Sequence, residues 1–396
     1  MSAPRRRTWD EVQLGEMVTL RRGYDLPNAV RRTGPIPVVS SSGITGHHDE
    51  AKVQPPGVVT GRYGTLGEVF FVDEPFWPLN TTLYADDFHG NDERFIAYFL
   101  RAQGLGVHNG AAAVPGLNRN HLHQLPAIRP PVRTQRKIAT ILSAYDHLID
   151  NNSRRIKILE EMAERIYREW FVEFRYPGHQ SVPKIDSTLG PIPRGWNAMA
   201  VSEAIFIDPK TPVPKGVVVP FVPMMSVSEN TMHIWPIEAR GSMSGARFVN
   251  GDTLFARITP CLENGKTAYV QCLEAGQTAV GSTEFIVLRP RRLSAEAVYL
   301  LARSDGFRQH AIKSMSGATG RQRVRKEAFD SYFVAVPDAD LLSVFGGIIK
   351  PMFDESYRLS SASQSLYVTR DLLLPRLVSG EIDLDELDIV TEELAL

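Results

Sequence analysis

Apolar residues recur at alternating steps of four and three positions through a long segment in the first half of the chain. The series runs through Ile138, Leu142, Tyr145, Ile149, Asn152, Ile156, Leu159, Ala163, Ile166 and Trp170. Residues at this spacing stay on one side of an α-helix, so the pattern predicts a helix that pairs with another helix through a coiled-coil seam. Asn152 is the only polar member of the series, and a buried amide there would disfavour wrong registers and wrong partners.

A second segment repeats this spacing near the C-terminal end, with more polar members. Its series runs through Phe345, Ile349, Met352, Ser356, Leu359, Ser363, Leu366, Arg370, Leu373 and Leu377. Pro351 falls inside the pattern, and a proline ring clashes with the carbonyl four residues back, at Gly347. We therefore predict a kink or a true helix start at Pro351, and a helix end marked by Pro375.

The segments in front of the two helices are predicted to be mixed α/β domains. The first contains β-like runs in VVTGRYGTLGEVFFV and TTLYADDF, a helical run in DERFIAYFLRAQ and a short strand in QLPAI. Gly and Pro punctuate these runs as turns do. Arg129–Pro130–Pro131 marks the break before the first long helix, because proline restricts the residue before it.

The same plan recurs in the second half at an offset of about 200 residues, which indicates an internal duplication. RFVNGDTLFARITPCLENGKTAYV matches the first β block, GSTEFIVLRP matches NTTLYADDF, and AEAVYLLARS matches ERFIAYFLRA. ATGRQRV matches VPGLNRN, and YFVAVP matches HQLPAI. The predicted fold class is α+β, with two similar mixed α/β domains joined by two long helices.

The predicted boundaries follow from these patterns. They are 1–131 for the first domain, 132–175 for the first helix, 176–195 for a linker, 196–338 for the second domain, 339–378 for the second helix and 379–396 for a C-terminal tail.

Composition is that of an ordinary globular protein, with 43% hydrophobic and 22% charged residues among 396. No apolar stretch approaches the ~18–20 residues of a membrane span, and no apolar core follows the basic N-terminus, so we expect a cytoplasmic protein. A net charge of −1 counts mildly against a nucleic-acid-binding protein. Local clusters weaken that objection, above all the run Arg321, Arg323, Arg325 and Lys326.

The sequence contains no recognisable catalytic or metal-binding pattern. Gly265–Lys266–Thr267 resembles the end of a phosphate-binding loop, but Pro260 stands where that motif needs glycine. No GxGxxG follows a strand, and the Asn/Asp-Pro-Pro-aromatic motif of amino-methyltransferases is absent. His47–His48 and the pair His121 and His123 lack ligand companions at zinc spacing, so we assign both to polar surface loops.

Four segments together resemble a known family. They are Pro130–Leu142 (PPVRTQRKIATIL), Leu159–Gly178 (ending in EWFVEFRYPG), Gly190–Trp196 (GPIPRGW) and Leu372–Leu384 (LLLPRLVSGEIDL). In this order they are similar to the specificity subunit of type I restriction–modification systems. The resemblance covers essentially the whole chain, and its specific part lies in the helices and the segments after them.

The resemblance implies that each domain is a target-recognition domain for one half of a bipartite site in double-stranded DNA. The two helices would pair as an antiparallel coiled coil, fix the spacing between half-sites and dock two modification subunits. Those partners would carry S-adenosylmethionine and methylate adenine at N6, and restriction (motor–nuclease) subunits would join the full complex. The chain itself would be non-catalytic, with no cofactor or metal.

DNA-contact candidates lie in loops that match between the two halves. They are Arg62, Tyr63, Asn118 and Arg119 in the first half, and Arg257, Lys266, Arg321, Gln322 and Arg323 in the second. Arginine suits guanine, and asparagine or glutamine suits adenine, because each pair makes two hydrogen bonds. Phosphate contacts would set the register of each domain on the duplex.

Two other classes of protein stay open from the sequence. A coiled-coil scaffold without a DNA role would show no salt-dependent DNA affinity, because phosphate contacts set that dependence. A standalone methyltransferase or nuclease with an unrecognised site would bind S-adenosylmethionine, or cleave DNA with a metal, as an isolated chain.

Overall fold

The computed structural model describes residues 9–108, 116–214, 216–241, 244–317, 320–384, 387 and 389. The chain divides into two compact units: the first unit comprises 1–150 with 364–396, and the second unit comprises 151–363. Both units mix helices and strands, and each contains part of both long helices. Within the described residues, no helix combines the length and apolarity needed to cross a lipid bilayer.

The first unit is built on short strands with one amphipathic helix. The strands are β1 (Asp10–Gln13), β2 (Thr19–Arg22), β3 (Ile36–Ser40), β4 (Gly43–His48), β5 (Gly57–Gly61), β6 (Val69–Val72), β7 (Trp77–Pro78), β8 (Thr82–Asp87) and β9 (Pro126–Arg129). The helices are α1 (Glu93–Ala102), α2 (Arg119–His123) and the beginning of α3 (Val132–Tyr167).

The strands of the first unit form three groups. An antiparallel sheet has the order β2-β8-β5-β6, and a smaller sheet has the order β4-β3-β7, in which β3 and β7 are parallel. The outer strands β1 and β9 pair antiparallel, with Asp10 opposite Arg129. Asp92 caps α1 by accepting a hydrogen bond from the amide of Phe95 at 2.9 Å, and the apolar face of α1 lies in the core.

The segment after the second long helix is part of the first unit. The buried ammonium of Lys137 on α3 donates to the carbonyl oxygens of Leu384 (2.9 Å) and Leu387 (2.7 Å). Gly380 lies so close to the ring of Trp9 that a Cβ would approach it to 2.8 Å. A buried ammonium group is costly unless it has hydrogen-bond acceptors of this kind. The contacts of Lys137 and Trp9 therefore hold the segment after α7 on the first unit.

The second unit has a longer series of elements. Its strands are β10 (Lys184–Ile185), β11 (Ile192–Pro193), β12 (Asn197–Ala200), β13 (Ile205–Ile207), β14 (Val219–Val222), β15 (Glu238–Arg240), β16 (Ala246–Phe248), β17 (Thr253–Ala256), β18 (Thr267–Tyr269), β19 (Ala279–Gly281), β20 (Phe285–Pro290) and β21 (Phe333–Val336). Its helices are α4 (Val201–Ala204), α5 (Ala295–Arg303), α6 (Asp305–Lys313) and most of α7 (Ala339–Val378), and a π-helical turn, Arg168–Val172, continues α3.

The strands of the second unit also form several sheets. One antiparallel sheet has the order β13-β20-β17-β18. Another has the order β15-β14-β19-β16, in which β14 and β19 are parallel. The strands β12 and β21 pair antiparallel. Aromatic rings fill the core beneath them, and the rings of Phe307 and Phe329 stack at 4.9 Å between centroids.

The strand and helix predictions for the first domain are confirmed. Strands β5, β6, β8 and β9 and helix α1 fall in the predicted runs, and both long helices are present. The prediction of a helix start at Pro351 is wrong, because α7 begins at Ala339 and runs through Pro351. Phe345, Ile349 and Phe353 are fully buried around this point, and their burial outweighs the roughly 3 kcal/mol that an internal proline costs. Pro375 lies inside the last turn of α7, three residues before its end.

Each predicted seam residue of α3 and α7 is buried or half-buried. In the second unit, Asn152 Nδ2 donates to Ser363 Oγ at 3.2 Å, and Arg155 pairs with Glu355 at 2.9 Å. Farther along α3, the ring of Tyr167 meets that of Phe345. The residue numbers of the contacting positions decrease along α7 as they increase along α3, so the two helical segments run antiparallel in this unit.

Polar groups also connect the helices to their surroundings. In the first unit, Asp146 on α3 accepts hydrogen bonds from Tyr98 (2.6 Å) and from Arg370 on α7 (2.5 Å), and it pairs with Arg101 at 3.3 Å. Burial raises the pKa of this carboxyl, but the hydrogen bonds from Tyr98 and Arg370 outweigh burial and leave the pKa below its ordinary value.

A buried polar pair occupies the seam region of the second unit. Glu160 on α3 accepts a hydrogen bond from the amide of Met232 at 3.1 Å, and burial raises the pKa of its carboxyl to about 7. His233 Nε2 lies 2.9 Å from Ser356 Oγ on α7, and burial lowers the pKa of the imidazole to about 4. Near neutral pH the imidazole is therefore uncharged.

Candidate nucleic-acid interface

The four first-unit candidates meet at one end of the sheet, which we call the first-unit edge. It is formed by the chain after β5, the residue before β8 and the segment that enters α2. The amide of Arg62 donates to the carbonyl of Thr81 at 2.8 Å, and the amide of Leu117 donates to the carbonyl of Arg62 at 3.0 Å. These bonds hold three loops together that are distant in sequence.

An arginine–tyrosine pair lies on the surface of the first-unit edge. The guanidinium of Arg62 lies 4.7 Å from the centroid of the Tyr63 ring. That ring is 37% exposed and rests against Gly116, where a Cβ would come within 2.4 Å of it. A cation held over an aromatic face keeps its N–H groups at the guanidinium edge available to other acceptors.

Asn118 and Arg119 begin helix α2 at the same edge. The side-chain oxygen of Asn118 accepts a hydrogen bond from the amide of Asn120 at 2.9 Å, as an N-cap does. Arg119 is exposed at the first helical position. The capping bond fixes the orientation of Asn118, and Leu122, which is buried, fixes the short helix on the sheet.

The second unit has a matching edge, which we call the second-unit edge. The amide of Arg257 donates to the carbonyl of Glu284 at 2.9 Å, and the amide of Val324 donates to the carbonyl of Arg257 at 2.9 Å. The side chain of Arg257 returns to the same place, since its guanidinium donates to the carbonyl of Val324 at 3.1 and 2.8 Å. Arg257 therefore stabilises the edge from within.

Two further second-unit candidates also have internal partners. Lys266 Nζ donates to the carbonyl of Met224 at 3.2 Å. Arg323 makes a two-pronged ion pair with Glu284, with Nε to Oε2 at 2.9 Å and Nη2 to Oε1 at 2.7 Å. The hydrogen bond and positive charge of Arg323 hold the pKa of the Glu284 carboxyl below its ordinary value.

Arg321 and Gln322 lie in the strand-like segment that crosses this edge. The carbonyl of Gln322 accepts hydrogen bonds from the amide and the hydroxyl of Thr259, both at 3.1 Å. Arg323 forms isolated bridges with Ile258 and Ser316 on either side. Arg321 is exposed, and the side chain of Gln322 is half-exposed. All five second-unit candidates thus lie at or beside one loop cluster.

Comparison with known proteins finds similar sequences and a similar fold. A family model described as the type I restriction modification DNA specificity domain matches residues 6–161. The type I restriction enzyme EcoEI specificity subunit of Escherichia coli is 31% identical over 170 residues, which are 41% of this chain and 28% of that protein. The MjaIX specificity subunit of Methanocaldococcus jannaschii is 22% identical over 315 residues, 74% of this chain and 70% of that protein.

The chain is similar in sequence to the specificity subunits of type I restriction–modification systems. A solved structure is similar in fold. The crystal structure of the S subunit of a type I restriction–modification system from M. genitalium matches with a TM-score of 0.61. The match covers 96% of this chain and 98% of that chain at 14% sequence identity, so it concerns the fold.

The backbone contacts at the two edges correct one match between the two halves of the sequence. Matching ATGRQRV with VPGLNRN equates Gln322 with Asn118 and Arg323 with Arg119. The backbone hydrogen bonds instead give Val324 the role of Leu117, since each donates to the carbonyl of the arginine at its edge. The register is therefore off by three residues.

With Val324 in the place of Leu117, Arg325 takes the place of Asn118 and Lys326 that of Arg119. The buried Leu122 and Phe329 then fall five residues after Leu117 and Val324, respectively. This apolar spacing was visible in the sequence and could have set the register.

The histidines set aside as surface residues include one that is buried. His48 lies on β4 with 2% exposure, where its Nδ1 lies 3.1 Å from the amide of Arg32 and its ring meets that of Trp77. His123 Nε2 accepts a hydrogen bond from the amide of Leu20 at 2.9 Å. Both histidines are thus joined to the sheets of the first unit. In the described part of the chain, no three His, Cys, Asp or Glu side chains are grouped as metal ligands.

Proposed function

We propose that this chain is the DNA-recognition subunit of a type I restriction–modification complex, and that each unit reads one half of a bipartite site. The observation that carries the proposal is the recurrence of one edge in both units. Arg62 and Arg257 occupy equivalent positions, and exposed basic or amide side chains surround both. Side chains of these types supply the phosphate and base-edge contacts of DNA-binding proteins.

Internal duplication is supported by the strand order. The order β2-β8-β5-β6 in the first unit corresponds to β13-β20-β17-β18 in the second. The order β4-β3-β7 corresponds to β15-β14-β19, with the parallel pair at the same place. Duplicated readers on one chain suit a site made of two half-sites.

We further propose that α3 and α7 form an antiparallel coiled coil that sets the half-site spacing and docks two modification subunits. The buried seam and the Asn152–Ser363 bond support helix pairing. Large apolar side chains remain exposed on the helices, and such surfaces commonly bind protein partners. They are Leu148, Tyr367, Val368 and Leu372 in the first unit, and Ile158, Met162, Val344 and Ile348 in the second.

The chemistry in this proposal belongs to the partners. The modification subunits bind S-adenosylmethionine and methylate adenine at N6, and restriction (motor–nuclease) subunits join the full complex. The chain supplies sequence recognition and assembly, with no catalytic residue of its own.

Methylation mapping tests the proposal. The chain is expressed with its modification subunit in methylation-free cells, and N6-methyladenine is mapped across the genome. We expect a split motif with a fixed gap, and no such motif in matched cells that lack this chain. Absence of new methylation, although the complex assembles, would favour the scaffold and unrecognised-enzyme alternatives.

A further inference from the structure

We infer that Arg325 and Lys326 supply DNA contacts of the second unit, in the places that Asn118 and Arg119 occupy in the first. The inference rests on the proposed function and assigns residues within it. Both residues lie outside the set of candidates chosen from sequence.

Arg325 and Lys326 lie at positions equivalent to those of Asn118 and Arg119. The amide of Leu117 donates to the carbonyl of Arg62, and Asn118 and Arg119 directly follow Leu117. The amide of Val324 donates to the carbonyl of Arg257 in the same way, and Arg325 and Lys326 directly follow Val324. Each pair then starts a short helical segment, α2 in the first unit and the 3₁₀ helix Lys326–Ser331 in the second.

The segment that carries them is anchored in the core of the second unit. Phe329 is fully buried and stacks on Phe307, and His310 Nε2 bonds the carbonyl of Ala328 at 2.8 Å. The amide of Ala328 donates to the carbonyl of Arg325 at 3.1 Å. A reading side chain is effective when its backbone is held in this way, because little ordering is left to occur on binding.

The charged groups of Arg325 and Lys326 are available to bind DNA phosphates. Arg325 and Lys326 are exposed, and neither side chain makes a hydrogen bond or ion pair with another described residue. Arg257, Lys266 and Arg323 are instead bound to Val324, Met224 and Glu284. Arg323 would have to leave a two-pronged carboxylate contact before it could bind a phosphate, which weakens its case.

The test measures salt-dependent binding of the assembled complex to a duplex that carries the motif found by methylation mapping. Each phosphate that a protein neutralises contributes ~0.9 to the slope of log affinity against log salt. Arg325→Ala combined with Lys326→Ala should therefore lower the magnitude of that slope by about two. Arg325→Lys with Lys326→Arg keeps both charges and should retain the slope.

A charge-matched control lies at the far end of the same sheet. Arg291 and Arg292 are exposed just beyond the end of β20. The six residues of this strand span about 20 Å and separate the two arginines from Glu284 at the second-unit edge. Arg291→Ala with Arg292→Ala should change the slope by much less than the double change at Arg325 and Lys326. Equal slopes for the two alanine doublets, with unchanged thermal unfolding, would overturn the inference.

The outcomes also separate this assignment from the proposed function. Failure of the wild-type complex to bind the duplex would count against the proposed function itself. Normal wild-type binding with no effect at Arg325 and Lys326 would count against this assignment alone.

Discussion

The same pattern of backbone hydrogen bonds occurs within the first-unit edge and within the second-unit edge, but the charged side chains of the two edges make different contacts. At the first, Arg62 lies over the ring of Tyr63 on the surface. At the second, the equivalent Arg257 turns inward to the carbonyl of Val324, and Arg323 is held by Glu284. Position in the fold and availability for DNA are therefore separate properties of an arginine.

If each unit reads one half-site, as we propose, this difference in side chains allows the two units to read different sequences. A backbone frame that does not depend on the exposed side chains allows those side chains to vary without loss of the fold. Direct readout depends on the side chains that reach base edges, so two units with one frame can read different sequences. Substitutions should have their largest effects in the helix seam, which the units share, and smaller effects at the edges, where the units differ.

The largest expected effect is at the seam. Ile156→Asp places a charge at a position that is 7% exposed, and we expect the free energy of unfolding to fall by about 3–5 kcal/mol. Ile158→Asp, two residues away on the same helix and 54% exposed, is the control and should change unfolding by less than about 0.5 kcal/mol. Thermal unfolding measures both variants. Equal losses would show that the seam is not buried.

The next effect is at Asp146, the carboxylate that joins α3 and α7 in the first unit. Asp146→Asn removes a charge paired with Arg370 and Arg101, and we expect a loss of about 2–3 kcal/mol in urea unfolding at pH 7. The folded-state pKa is lowered, so this stabilisation is present above the unfolded pKa near 4 and is lost as the pH falls. A loss that persists undiminished at pH 2.5 would contradict the ionic explanation.

Glu160 should show the opposite pH dependence in the second unit. Its folded-state pKa is raised from 4.5 to about 7, so stability falls as the pH rises between these values. Glu160→Gln is neutral and keeps an acceptor for the Met232 amide, so it should stabilise by about 1–2 kcal/mol at pH 8 and by little at pH 4. Glu164→Gln, partly exposed on the same helix, is the control. A loss of stability for Glu160→Gln at pH 8 would show that the buried carboxyl does not have a raised pKa.

The smallest effect on stability separates the two edge arginines. Arg257→Ala should destabilise by about 1 kcal/mol, because it removes hydrogen bonds to the Val324 carbonyl. Arg62→Ala should leave unfolding within about 0.5 kcal/mol and weaken DNA binding by the complex instead. Thermal unfolding and duplex binding are measured for both variants. The reverse pattern would mean that the roles of the two arginines are exchanged.

The sequence predicts the scaffold well because its signals are periodic. The long helices follow from a stripe repeated over several heptads, and α1 follows from its apolar face and its Asp92 cap. Pro351 shows the limit of local rules, since burial of its neighbours keeps the helix intact. Tertiary contacts can override the helix propensity of a single residue.

The edges were harder to predict because their contacts are non-local. Arg323 and Glu284 are 39 residues apart, and Arg257 and Val324 are 67 apart, so their pairing could not be read from spacing. The match of ATGRQRV with VPGLNRN aligns Gly320 with Gly116, whereas the fold aligns the buried Val324 with the buried Leu117. The folded arrangement of the loops decides which arginine and lysine side chains have internal partners and which remain available to bind DNA.

If the two units read independent halves of one site, exchange of one domain should change only the half that this domain reads. Residues 196–338 are replaced by the corresponding domain of another specificity subunit, and methylation is mapped for the original and the exchanged complexes. We expect that one half of the motif is replaced while the other half and the gap are kept. A change in both halves, in a complex that assembles normally, would contradict it.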